Sequence, residues 1–106
     1  QVDRVIYDLK NNPASRRILT NIYTFQDLHE MNLYPCAYSM TFNVSGNTLN
    51  GILNQRSNDM LVANNWNVVQ YSILIYMLAL IIYYFFRLVN LYVFFVDFHI
   101  NFLLET

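Results

Sequence analysis

Glycine and proline are nearly missing from this chain of 106 residues, at two each, and cysteine occurs once. So few glycines cannot build a glycine-rich phosphate loop, where backbone N–H groups must close around an anion. One cysteine excludes an intramolecular disulfide and any multi-cysteine metal cluster. Charge is scarce as well: 6 Lys+Arg stand against 7 Asp+Glu, 12% of all residues. A near-neutral chain lacks the positive field that grips a nucleic-acid backbone, so no nucleic-acid partner is expected. The two histidines, His29 and His99, are isolated and offer no metal-ligand spacing. No basic stretch leads into an apolar run at the start, so no signal peptide is expected and the chain reads as cytoplasmic.

Apolar residues make up 56% of the chain, far too many for a disordered tail. Asparagine is abundant, with 14 copies. The composition breaks after residue 72: the first part holds 10 of the 13 charges, and the rest holds only Arg87, Asp97 and Glu105 together with ten of the seventeen Phe and Tyr.

In the first part the elements alternate. Val2, Val5, Ile6 and Leu9 recur at helical spacing and predict a helix over 1–11, stopped by Asn12-Pro13. Residues 17–23 are β-prone. Asp27–Met31 makes at most a helical turn. Cys36, Tyr38, Met40, Phe42 and Val44 alternate and predict one face of a strand. Ser45-Gly46-Asn47 is a turn signal, and 48–55 is the return strand. Ser57-Asn58-Asp59 supplies candidate helix N-caps, and 67–80 reads as a helix buried on most sides. The expected fold is α+β, an antiparallel-containing sheet packed against helices.

The candidate chemistry rests on few side chains. Cys36 follows Pro35 at the head of a strand. A lone cysteine is more often an inert buried residue than a nucleophile, and activation needs a neighbouring positive charge. Arg16-Arg17 follows a Pro-Ala-Ser loop, either as two solvated arginines or as a fork for phosphate. Arg56 ends an apolar strand and needs an anionic partner, which Asp59 or a ligand supplies. Asn67 either caps a helix or reads a base edge through its donor and acceptor. Three arginines and one thiol in a neutral chain suit a small anionic substrate better than a polymer.

In order and spacing, Ser15-Arg16-Arg17, Leu33-Tyr34-Pro35-Cys36, Gln55-Arg56-Ser57-Asn58-Asp59 and Asn67 with Gln70-Tyr71 resemble the thymidylate synthases. The resemblance runs over residues 1–79. It implies methylation of dUMP to dTMP, with 5,10-methylenetetrahydrofolate as co-substrate and no metal. It casts Cys36 as the nucleophile toward C6 of the uracil ring. Arg56 would hold the phosphate and stand beside the Cys36 thiolate, with Ser57 and Asn58 joining it. Asp59 would contact the folate, and Asn67 would read the uracil edge. Arg16 and Arg17 would cross a two-fold interface to the partner's site, making the protein a homodimer. Leu61–Trp66 departs from the family's usual form, and Tyr23 stands where tryptophan is usual. Asp97-Phe98-His99-Ile100-Asn101 echoes a family motif in which His99 would touch the sugar, although Asn101 replaces a tyrosine.

The chain divides accordingly into a synthase-like core fragment, 1–79, and a divergent apolar, aromatic tail, 80–106. Three accounts of the tail stand open: a frameshift or decayed segment, a divergent in-frame family segment, or a membrane-associated stretch within residues 73–96. The last is short, since the uninterrupted apolar run at 73–86 is fourteen residues and spanning takes about 20. A fragment of this family is expected to be poorly active alone. The alternative is a small non-enzymatic remnant that binds a membrane or a partner.

Overall fold

The computed structural model describes residues 1–82 and the strand at 88–95. Seven elements follow in order: α1 (Val2–Asn11), β1 (Leu19–Asn21), α2 (Phe25–Leu28), β2 (Ala37–Ser45), β3 (Thr48–Gln55), α3 (Asn64–Ile81) and β4 (Leu88–Phe95). The strands form one sheet in the order β1-β2-β3-β4. The pairs β1–β2 and β2–β3 are antiparallel, whereas β3 and β4 run parallel. A parallel neighbour needs a crossover, and α3 lies in the connection between the two strands. The architecture is the α+β arrangement expected.

The hairpin of β2 and β3 organises the rest. Its loop is two residues long, since Ser45 pairs with Thr48. Gly46 has φ +58°, and among the described residues no non-glycine residue has positive φ. One left-handed residue at the first central position marks the primed turn that matches strand twist. Strand β3 alternates cleanly, with Leu49, Gly51, Leu53 and Gln55 buried. Gly51 leaves space that two core side chains fill: a Cβ there would lie 2.5 Å from Met40 Cε and 2.7 Å from Ile75 Cδ1, and both side-chain ends would have to shift. The missing side chain lets α3 settle directly on the strand.

The core joins α1, the sheet and α3 through Val5, Leu9, Ile18, Met40, Phe42, Leu49, Ile75, Leu78, Ala79 and Ile82. Helix α1 buries Val5 and Leu9 as its periodicity predicts, and also Asp8, whose carboxylate pairs with Arg4 at 2.9 Å. The opposite face of the hairpin accounts for part of the asparagine content. There Asn50 Nδ2 donates to Asn43 Oδ1 at 2.9 Å and Asn54 Nδ2 to Ser39 Oγ at 3.0 Å. One amide–amide and one amide–hydroxyl pair thus link the two strands on this face.

Three expectations change. The face shared by Cys36, Tyr38 and Met40 is broken by a β-bulge: Ala37 pairs with Gln55 and Ser39 with Asn54, so Tyr38 has no partner in β3, while on its other side its carbonyl accepts from Ile22 N at 2.9 Å. The extra residue flips the alternation, and Ala37 is buried in place of Tyr38. Second, α3 starts at Asn64, three residues before the expected 67, and Ser57–Asp59 do not cap it: the Asp59 carbonyl accepts from Ala63 N and Asn64 N and closes a separate turn ahead of the helix. Third, α3 is not buried on most sides. Ile75, Leu78 and Ala79 face the core, while Trp66, Val69, Ile73, Tyr76, Met77 and Leu80 are exposed. The membrane reading of residues 73–96 meets two findings. No helix among the described residues is long and apolar enough to cross a membrane, and residues 88–95 form a strand.

Candidate active site

The open end of the hairpin brings together residues about 20 apart in sequence. The ladder continues one step beyond β3, where Arg56 N donates to the Cys36 carbonyl at 2.9 Å. That step sets Cys36 against Arg56 and Ser57. Cys36 is a free, half-buried thiol. Its Sγ accepts a hydrogen bond from Ser57 Oγ at 3.4 Å.

Arg56 points its guanidinium at the backbone just before the thiol. Its Nε donates to the Pro35 carbonyl at 3.2 Å and its Nη2 to the Tyr34 carbonyl at 2.6 Å. The Tyr23 hydroxyl donates to the same Pro35 carbonyl at 3.0 Å. A fixed positive charge thus stands beside the cysteine, held by carbonyls and not by a carboxylate. Asp59 is not its partner: among the described residues, no ion pair joins them.

Asp59 is exposed, and one of its carboxylate oxygens, Oδ1, accepts from Leu61 N and Val62 N at 3.0 Å each. Asn58 is buried, and its amide donates to Met60 Sδ at 2.9 Å and Asn64 Oδ1 at 3.0 Å. Asn67 is half-buried in the first turn of α3, its N–H bonded to the Ala63 carbonyl. Arg16 and Arg17 stand apart from this cluster, exposed on the α1–β1 connection. Arg17 lines an open depression of about 520 Å³ with Arg4, Asp8 and Ser15. His99 lies outside the described residues.

A cavity of about 240 Å³ lies between β2 and α3, lined by Tyr38, Ser39 and Met40 from the strand and Gln70, Tyr71 and Leu74 from the helix. Burial raises the Tyr71 phenol above its ordinary value of 10.0.

Two groups escaped the reading of the sequence. Gln55 is fully buried; its Nε2 donates to the Ser57 carbonyl at 3.4 Å and its Oε1 has no partner among the described residues. Tyr23 lies between Tyr34 and Tyr38, stacked on the latter at 5.1 Å. The sequence marks Tyr23 as standing where tryptophan is usual, and the role of its hydroxyl has as its further signal the pair of tyrosines placed two residues to either side of Cys36.

A thiol that accepts from a hydroxyl, with a guanidinium held on the backbone just before it at the end of a sheet in an α+β fold, has the groups that cysteine-nucleophile enzymes use on small anionic substrates. Comparison with known proteins names the class. The family model described as Thymidylate synthase matches residues 1–101, which includes most of the divergent tail. The thymidylate synthase of Bacillus subtilis subsp. natto is 43% identical over 79 residues, covering 74% of this chain and 28% of the relative. That of Buchnera aphidicola is 42% identical, covering 74% of this chain and 30% of the relative. The solved thermostable thymidylate synthase A from Bacillus subtilis matches with a TM-score of 0.68 and 41% identity, over 74% of this chain and 28% of that one. The chain belongs to the thymidylate synthase family, and so to a family of methyltransferases. It spans about 28% of the length of the first of these relatives.

Proposed function

We propose that this chain carries the nucleophile-bearing part of an enzyme that methylates dUMP to dTMP. The observation that carries the reading is the hydrogen bond from Ser57 Oγ to Cys36 Sγ, with the Arg56 guanidinium held on the two carbonyls just before the thiol.

In this reading the Cys36 sulfur adds to C6 of the uracil ring, and the electron pair displaced from the C5–C6 bond makes C5 nucleophilic. The Ser57 hydroxyl, now on the sulfur, turns to the phosphate as the carbon–sulfur bond forms. Arg56 has N–H groups left beyond the two spent on Tyr34 and Pro35, and these hold the phosphate. The buried Asn58 supports this turn from within, through its bond to Asn64. Asn67 offers its amide to the pyrimidine edge.

Methylenetetrahydrofolate supplies both the one-carbon unit and the reducing equivalents. Asp59 fits a pterin: its carboxylate is exposed, and Oδ2 is free of protein partners among the described residues, open to ring N–H groups. Arg16 and Arg17 are exposed and unpaired among the described residues, as a pair reaching a second subunit's phosphate site must be. His99 is assigned to the sugar hydroxyl on its motif alone.

The test is covalent capture. Incubation with 5-fluoro-dUMP and methylenetetrahydrofolate is expected to add the mass of both to the intact chain, and Cys36→Ala to abolish the adduct. A folded wild-type chain that binds dUMP in calorimetry and yet forms no adduct would overturn the nucleophile assignment.

A further inference from the structure

We infer that Tyr23 is a positioning residue for Cys36, an inference that rests on Cys36 being the nucleophile. The peptide bond joining Pro35 to Cys36 is held from two directions. Tyr23 Oη donates to the Pro35 carbonyl at 3.0 Å, and Arg56 Nε donates to the same oxygen at 3.2 Å. A carbonyl has two lone pairs, and here both are taken. The Tyr23 ring does the same for the flanking side chains. It stacks on Tyr38 at 5.1 Å and 24°, and meets Tyr34 edge-on at 6.3 Å and 69°. Tyr38 is the unpaired residue of the bulge. One side chain from outside the hairpin therefore ties down the residues on both sides of the thiol, at the point where the ladder is weakest.

The doubled hydrogen bond has a use. Arg56 is the group placed to meet an anion, and to do so it gives up some of its hold on Tyr34 and Pro35. A bare Pro35 carbonyl would then swing and carry the Cys36 backbone with it. The Tyr23 hydroxyl keeps that oxygen satisfied while the guanidinium turns away. The sulfur stays where the Ser57 hydroxyl and the incoming ring expect it, and small misplacements of a nucleophile are expensive in rate.

The test compares wild type, Tyr23→Phe and Tyr23→Trp in the whole chain. The readout is the second-order rate of Cys36 alkylation by iodoacetamide without nucleotide, with the urea midpoint measured alongside. Phe keeps both ring contacts and loses only the donor; the indole N–H of Trp supplies a donor again. Tyr23→Phe is expected to alkylate about fivefold faster, the equivalent of one ordinary hydrogen bond, because the freed loop uncovers the half-buried thiol, and to lower the urea midpoint by no more than the loss of that one bond accounts for. Tyr23→Trp is expected to stay near the wild-type rate. A purely packing role would leave Tyr23→Phe unchanged and disturb Tyr23→Trp, and that pattern overturns the inference. If Tyr23→Phe fails to fold, Tyr23→Trp decides alone: a rate near wild type supports the inference and a changed rate overturns it. Failure of the nucleophile reading shows separately, as absence of the fluoro-nucleotide adduct in wild type.

Discussion

At the scale of single residues, the structure adds backbone acceptors that a reading of side chains cannot see. Arg56 was legible as a cation in need of an anionic partner. That it rests on the Tyr34 and Pro35 carbonyls was not, because carbonyl acceptors carry no sequence signature. Cys36, Ser57 and Arg56 stood out through their order and spacing, whereas Tyr23 looked like a mild exchange for tryptophan until its hydroxyl was placed. Tyr71 gives a direct test at this scale. Burial disfavours its phenolate, so its pKa is raised in the folded chain. Its contribution to stability is intact below the range where an exposed phenol ionises, about 10, and is lost as pH rises from there through the raised value. In an alkaline titration of the phenolate absorption band, Tyr71 is expected to ionise after the exposed tyrosines. Tyr71→Phe is expected to remove that late component and to flatten the alkaline fall in the urea midpoint.

At the scale of elements, patterns with a strict period were readable and those without one were not. Strand β3 alternates without fault, and the two-residue turn at Gly46-Asn47 fixes its register against β2. The bulge at Tyr38 arises from pairing between strands, so the sequence of β2 alone showed an unbroken alternation. Helix α3 holds its polar residues, Asn64, Asn65, Asn67, Gln70 and Ser72, in its first half and is apolar all round from Ile73 on, and a stretch with no polar face does not reveal which side it buries. The sheet takes Ile75, Leu78 and Ala79, leaving Trp66 at 76% exposed and a stripe through Val69, Ile73, Tyr76 and Leu80. An apolar stripe of this length favours self-association in water. Replacing Ile73 and Tyr76 together by lysine is expected to leave the unfolding free energy, measured by urea titration, within about 0.5 kcal/mol of wild type, as for other surface changes. It is also expected to lower the apparent mass at high concentration in sedimentation velocity. An unchanged mass distribution would show that the stripe does not drive association.

At the scale of the whole molecule, the proposed sharing of sites between subunits is open to a mixing experiment. A chain with Arg16→Ala and Arg17→Ala keeps its thiol, and a Cys36→Ala chain keeps its arginines. Neither is expected to capture 5-fluoro-dUMP alone. Mixed in equal amounts and allowed to exchange, about half of the thiol-bearing chains should sit opposite an arginine-bearing partner and become labelled. Labelling that does not recover on mixing would place the arginines in their own subunit's site or outside it. The sheet also has a consequence in time. The β2–β3 hairpin closes over a two-residue turn, but β4 reaches β3 only after the whole of α3 has been traversed. Local pairings form in microseconds, and parallel ones wait for the long loop to close. In pulsed hydrogen exchange during refolding, hairpin amides on the β2-facing edge of β3 are expected to gain protection before the β4-facing ones. The half-built sheet would then present β3 as an open edge to any neighbouring chain, and the lifetime of that edge, more than the stability of the finished fold, would set how much protein reaches it.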